Sequence, residues 1–302
     1  MINQFLLISG ETGISKVDAI KFSGALLNAF SVLYPDEIDK FSGRRMDLCV
    51  SDLFPIVKKE PFFPFPAIPM VWSNAKLQDK KGRIEARKKK KTNPDFMDLN
   101  TIREIASKFK ESGYKAIYAQ DIVDRVDIPS VRAASMTQAA VPGVMIDPVT
   151  FKPTIYTKEM SRIASPSNYW IFISAEHDEF LTAVSYLQDS GISSRRSTGL
   201  GKVKIRGARF PISIGFAGEG LYMTLSPFIP DSGDVDKIDF QKSAYRLGVF
   251  GGTNSNGSST GIYRYFITGS VLYLKGEING RWVSGGERRL INFSAVYVKV
   301  SK

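Results

Sequence analysis

The chain has 302 residues, 43% of them hydrophobic, and its 41 Lys and Arg outweigh 30 Asp and Glu for a formal net charge of +11. That is enough apolar sequence for one large or two ordinary domains, and a soluble chain this basic is suited to a polyanion. The single cysteine, Cys49, excludes an intrachain disulfide and a thiolate zinc site, the single histidine, His177, excludes a His-cluster metal site, and no stretch is long and apolar enough to span a membrane.

Gln4–Ser9 (QFLLIS) predicts a buried first strand, followed by a turn at Gly10–Gly13. From Lys16 to Tyr34 the apolar positions Val17, Ile20, Phe22, Leu26, Leu27, Phe30 and Leu33 recur at helical spacing, and Pro35 ends the pattern. Ser23 and Gly24 are small residues near the middle of that helix, suited either to close packing or to the approach of a nucleic-acid backbone. Leu48–Val57 is strand-like. Pro61–Met70 (PFFPFPAIPM) holds four prolines, so it is neither a helix nor a central strand, and its aromatics are expected to pack.

Lys76–Lys91 carries nine Lys and Arg against two acidic residues, including the run Lys88, Lys89, Lys90 and Lys91. A like-charge run of this density repels itself until an anion arrives, and it reads as a basic insertion at about residues 76–96 that meets nucleic acid. Asp98–Lys110 is an amphipathic helix with Asp98 or Asn100 as N-cap. Pro129–Gly143, with Arg132, reads as loop, and Phe151–Tyr156 opens a new set of strands.

In the second half, Tyr169–Ser174 (YWIFIS) predicts a buried strand and Asp178–Leu187 a short helix. Strands are expected at Lys202–Arg206, Phe210–Phe216, Leu221–Ser226, Tyr245–Phe250, Tyr263–Thr268, Ser270–Lys275 and Asn292–Val300. Each half thus begins strand, helix, strand. The expected architecture is α+β, two ferredoxin-like (RRM-like) domains over residues 1–150 and 151–302, each of β-α-β-β-α-β plan.

Residues 189–204 (DSGISSRRSTGLGKVK) join the second-half helix to the next strand. Glycine admits φ > 0 and close approach of another chain, successive backbone N–H groups can cradle an anion, and arginine grips phosphate bidentately. Arg195, Arg196, Ser197, Gly199, Gly201 and Lys202 are therefore candidate phosphate-binding residues. GLGK is not a Walker A loop, because Val203 stands where Ser or Thr is required, and it lacks the third glycine of a dinucleotide fingerprint. His177 lies among carboxylates before a helix and is expected to serve a surface or capping role. No cofactor is expected. One cysteine and a start without a cationic n-region or long apolar core fit a cytoplasmic protein with no signal peptide.

Several spaced blocks together resemble the RAMP superfamily of CRISPR proteins: FSGALLNAF (Phe22–Phe30), VSDLFP with PFFPFPAIP (Val50–Pro69), IPSVRAASMTQ (Ile128–Gln138), DSGISSRRSTGLGKV (Asp189–Val203), MTLSPFIP (Met223–Pro230) and GSVLYLKG (Gly269–Gly276). The likeness is to the fourth subunit family of the Csm series in type III complexes, although Ser193 and Ser194 stand where relatives often have paired glycines. The resemblance implies a noncatalytic subunit of a type III effector complex that holds the 5′ handle of the guide RNA. Its implied partners are that RNA, the large signature subunit and the backbone RAMP subunits. It further implies that Ser23 and Arg132 line the groove served by the Gly/Arg loop, with Lys88–Lys91 adding sequence-independent attraction. A RAMP-type endoribonuclease that processes repeat RNA is the alternative.

Overall fold

A computed structural model describes residues 2–10, 17–37, 48–71, 96–118, 136–163, 168–192, 201–251, 261–284 and 290–301. β1 (Ile2–Gly10) leads to α1 (Ala19–Leu33), then β2 (Leu48–Val50), β3 (Phe54–Val57), and the two-residue β4 (Glu60–Pro61), β5 (Phe63–Pro64), β6 (Met70–Val71) and β7 (Phe96–Met97). Next come α2 (Leu99–Glu111), β8 (Ile117–Tyr118), and a long hairpin of β9 (Met136–Ile146) and β10 (Pro153–Ile163). β11 (Asn168–Ala175), α3 (Glu179–Ser190), β12 (Val203–Ala208), β13 (Gly220–Thr224), β14 (Ile238–Ala244) and β15 (Leu247–Phe250) follow. The chain closes with β16 (Tyr263–Phe266), β17 (Val271–Leu274), β18 (Gly280–Ser284), β19 (Leu290–Ser294) and β20 (Tyr297–Lys299).

The first sheet has the order β12-β1-β11-β3-β4, with β2 also pairing β11. Its order of elements is β1-α1-β2/β3, then β11-α3-β12, a β-α-β-β-α-β path with the last strand beside the first. α1 and α3 pack together on one face, with Phe30 stacked on Phe180 at 4.7 Å. The alternation along the strands explains the uninterrupted apolar run YWIFIS. Tyr169, Ile171 and Ile173 enter the core under the helices, while Trp170 and Phe172 enter a second core on the opposite face.

The second sheet, β14-β17-β13-β20, supplies Leu221, Met223, Val271 and Val298 to that second core, and α2 adds Ile102, Ile105 and Phe109. The proline-rich segment closes the same core. Phe63 is fully buried and lies 5.1 Å from the Trp170 ring, whose Nε1 donates to the Phe62 carbonyl at 3.1 Å. Asp98 caps α2 by accepting from the Thr101 N–H, as expected. Asp52 ties three regions: its carboxylate accepts from the Ala19 N–H at 2.7 Å and from the Thr268 hydroxyl, and its own N–H donates to the Leu225 carbonyl.

Four expectations are corrected. A division at residue 150 does not follow the sheets, because β11 and β12 hydrogen-bond to β1 and complete its sheet. Among the described residues the strands of the second sheet follow one another with no α-helix between them, so that half does not repeat the first plan there. Pro129–Gly143 is not all loop: Met136 onward is β9, and Pro142 is tolerated because β9 pairs with β10 alone. Phe210–Phe216 forms no strand and contributes only an isolated bridge at Ile214.

Candidate nucleic-acid interface

Of the residues that the sequence marks for polyanion binding, Gly201 and Lys202 lie at one end of the first sheet, beside a row of polar residues. The register places Ser9 opposite both Lys204 of β12 and Asn168 of β11, and Gly10 opposite Val203. Residues opposite one another in an antiparallel sheet share a face, so Lys204, Ser9 and Asn168 form a polar row across three strands. β3 runs toward the same end, since Phe54 pairs Trp170 and Pro55 pairs Tyr169. The base of the β9–β10 arm is also here, because β10 leads through residues 164–167 to Asn168.

The Gly/Arg loop starts and finishes at this end, on a fixed neck. α3 ends at Gly191, whose φ of 79° is costly for other residues and whose N–H donates to the Leu187 carbonyl at 2.8 Å. The next residue, Ile192, is buried, and its N–H donates to the carbonyl of Gly201 at 3.1 Å. Gly201 has φ 87°, and the Gln188 side chain accepts from the Ile205 N–H at 2.9 Å. The two ends of the loop are thus pinned to each other and to the edge strand.

β12 then alternates. Val203 and Ile205 are buried toward the helices, while Lys202, Lys204 and Arg206 are exposed. Lys204 and Arg206 were not among the sequence candidates, although the pattern V-K-I-R carries them. What was missing was the knowledge that β12 is an edge strand, which is a fact of topology.

The other candidates separate. Arg195, Arg196, Ser197, Gly199, Arg132, Lys88, Lys89, Lys90 and Lys91 lie outside the described residues. Gly201 and Lys202 stand at the loop neck. Ser23 is a correction: it is 1% exposed and its hydroxyl donates to the Ile20 carbonyl at 3.1 Å, so in this chain it serves packing on the inner side of α1 rather than an open groove. His177 sits at the opposite end of β11 from Asn168, where its carbonyl accepts from the Phe180 N–H.

Two further features were not legible. The tip of the β9–β10 arm exposes Val144, Met145, Ile146, Val149, Phe151 and Ile155, with Phe151 at 77% and Val149 at 82%. Soluble surfaces rarely present so many large apolar groups together unless something covers them. A cleft of about 350 Å³ between the two sheets is lined by Asn3, Cys49, Ser174, Asn279 and Tyr297, among others. Burial pushes the Tyr297 phenol well above its usual range, and its hydroxyl exchanges hydrogen bonds with the backbone of Ile278, so that phenol is structural. Among the described residues no group of three or more His, Cys, Asp or Glu could hold a metal ion, and no helix is long and apolar enough to cross a membrane.

The α+β fold is shared with chains of type III CRISPR–Cas complexes. A chain of a Csm3–Csm4 subcomplex from the type III-A interference complex is similar over 98% of both chains, with a TM-score of 0.61 and 13% identity. A chain of a Csm1–Csm4 cassette in complex with cA4 is similar over 98% of this chain and 97% of that one, with a TM-score of 0.53 and 16% identity. A chain of a type III-B Cmr-beta complex bound to cognate target RNA and AMPPnP is similar over 89% and 86%, with a TM-score of 0.50 and 12% identity. The chain thus carries the fold of Csm-type subunits. No family model and no curated protein sequence matches it.

Proposed function

We propose that this chain is a noncatalytic RNA-binding subunit of a type III CRISPR effector complex, of the RAMP superfamily and the fourth Csm family. It holds the 5′ handle of the guide RNA and bridges the large signature subunit to the backbone subunits. The first sheet with its two helices is taken as a ferredoxin-like RAMP domain, and the second sheet with its hairpins as a second domain of different plan. One observation carries this reading: loop neck, cationic strand edge and polar row converge at a single sheet end, in a chain with the full-length fold of Csm-type subunits.

In this reading Arg195, Arg196, Ser197 and Lys202 grip handle phosphates, with backbone N–H groups near Gly199 and Gly201. Arg132 and the Lys88–Lys91 cluster extend the basic surface. Splayed bases are held by hydrogen bonding and stacking, as single-stranded RNA is elsewhere. The exposed apolar arm tip supports a place inside an assembly, where a neighbouring subunit covers it.

The test is RNA binding with Arg195→Ala and Arg196→Ala together. Affinity for a repeat-derived RNA falls, the log–log salt slope shrinks by about 1.4, at about 0.7 per lost phosphate contact, and the melting curve stays in place. An unchanged slope removes the loop from the interface. Cleavage of labelled repeat RNA by the pure chain in EDTA overturns the noncatalytic assignment.

A further inference from the structure

The connection between β3 and β4 is a two-residue turn at the same end of the first sheet as the polar row. Val57 pairs Glu60 across it, and Lys58 and Lys59 are its central residues. Both have positive φ, 52° and 71°. That is the shape of a type I′ turn, which favours Asn-Gly because a side chain with a Cβ pays for φ > 0. Two consecutive lysines are a costly choice there, and both are exposed. Backbone strain of this kind persists where the surroundings or a function require it.

The position suggests what the function is. Across the sheet the strand order is β12-β1-β11-β3, so the turn stands three strand spacings, about 14 Å, from the cationic edge. Lys202 and Lys204 flank one side, Ser9 and Asn168 offer hydroxyl and amide groups between, and Lys58 and Lys59 flank the other. Glu60 follows the turn, and the two lysines outnumber it.

We infer that the Lys58–Lys59 turn is a second phosphate-binding site, and that a single RNA strand crosses this end of the sheet from the β12 edge to the turn. The inference rests on the RNA-binding reading above and adds the path of the strand. Both side chains are exposed, where their ammonium groups can meet phosphates as point charges. The sequence forgoes stability at this turn to keep them.

The experiment compares the purified chain with two turn variants and one control variant, using a fluorescein-labelled oligouridylate of about 16 nucleotides and a salt titration. Lys58→Asn with Lys59→Gly relieves the turn and removes both charges. Its melting midpoint rises by about 2 °C while its salt slope shrinks by about 1.4. Lys58→Gln with Lys59→Gln keeps the strain, and its slope shrinks equally at an unchanged midpoint. Lys115→Gln, on an exposed residue outside this end of the sheet, leaves both readouts unchanged. If the parent chain binds the RNA and both turn variants keep its slope, the turn is not a phosphate site and the inference falls alone. The same holds if the variants keep RNA binding but self-associate, since lysines also guard exposed sheet edges, or if they lose only an acidic protein partner. If the parent chain itself fails to bind RNA, alone and within its complex, the proposed function falls and the inference with it.

Discussion

Asp52 shows how one side chain holds distant parts of this chain together. It caps the start of α1 through Ala19 and takes the hydroxyl of Thr268, 216 residues away in sequence. Replacing it by alanine leaves an N–H and a hydroxyl without this acceptor, so Asp52→Ala is expected to cost about 2–3 kcal/mol in urea unfolding, more than an average exposed cap. Trp170 is the packing counterpart. It is fully buried, meets Phe5, Phe54 and Phe63 edge-on or tilted, and satisfies the Phe62 carbonyl. Trp170→Ala removes this centre and is expected to cost about 3–5 kcal/mol. A loss under 1 kcal/mol would mean the proline-rich segment does not depend on it.

At the scale of elements, the arm between Ile146 and Pro153 turns on Asp147. Its carboxylate accepts the N–H of Val149 at 2.8 Å and of Thr150 at 3.1 Å, and these bonds hold its pKa below the usual carboxylate range. The folded value lies below the unfolded one, so the contribution to the turn is complete above the ordinary aspartate range. It disappears as pH falls through the depressed value. The protection of the Val149 and Thr150 amides, taken relative to free-peptide exchange at the same pH, is expected to fall at that acid end and, in Asp147→Ala, at neutral pH as well.

The same hairpin marks where sequence reading stopped. α1, α2 and α3 were legible because apolar periodicity and an Asp98 cap are local signals, and β1 and β11 because each holds a run of consecutive apolar residues, Phe5–Ile8 and Tyr169–Ile173. β9 was not, since Pro142 and Gly143 imitate a loop, and β14 and β18 carry too many polar residues to stand out. Phe210, Ile212 and Ile214 alternate like a strand yet only pack against the second core. The glycine-rich loop was marked from its residue types alone. Its neck, and the cations on β12 and the β3–β4 turn that share its sheet end, follow from pairings between residues far apart in sequence.

For the whole molecule, the arm tip is the main cluster of exposed large apolar side chains among the described residues. Changing Val149, Phe151 and Ile155 to serine touches no core cluster, so the melting midpoint is expected to hold. Co-purification with neighbouring subunits is expected to weaken by about tenfold or more, because buried aromatic anchors dominate such contacts. Undiminished assembly would show that the tip serves something other than a subunit.

The first sheet also sets a timetable. β1 and α1 leave the ribosome about 160 residues ahead of β11, a delay of about 8–30 s at ordinary elongation rates. For that interval a strand with the apolar run Phe5–Ile8 has no permanent partner, because the strands on both sides of it are still untranslated. A nascent chain stalled near residue 150 therefore exposes Phe5, Leu6 and Ile8 to whatever holdase is at the exit tunnel. Expression should respond to chaperone supply during synthesis more than to the stability of the finished protein.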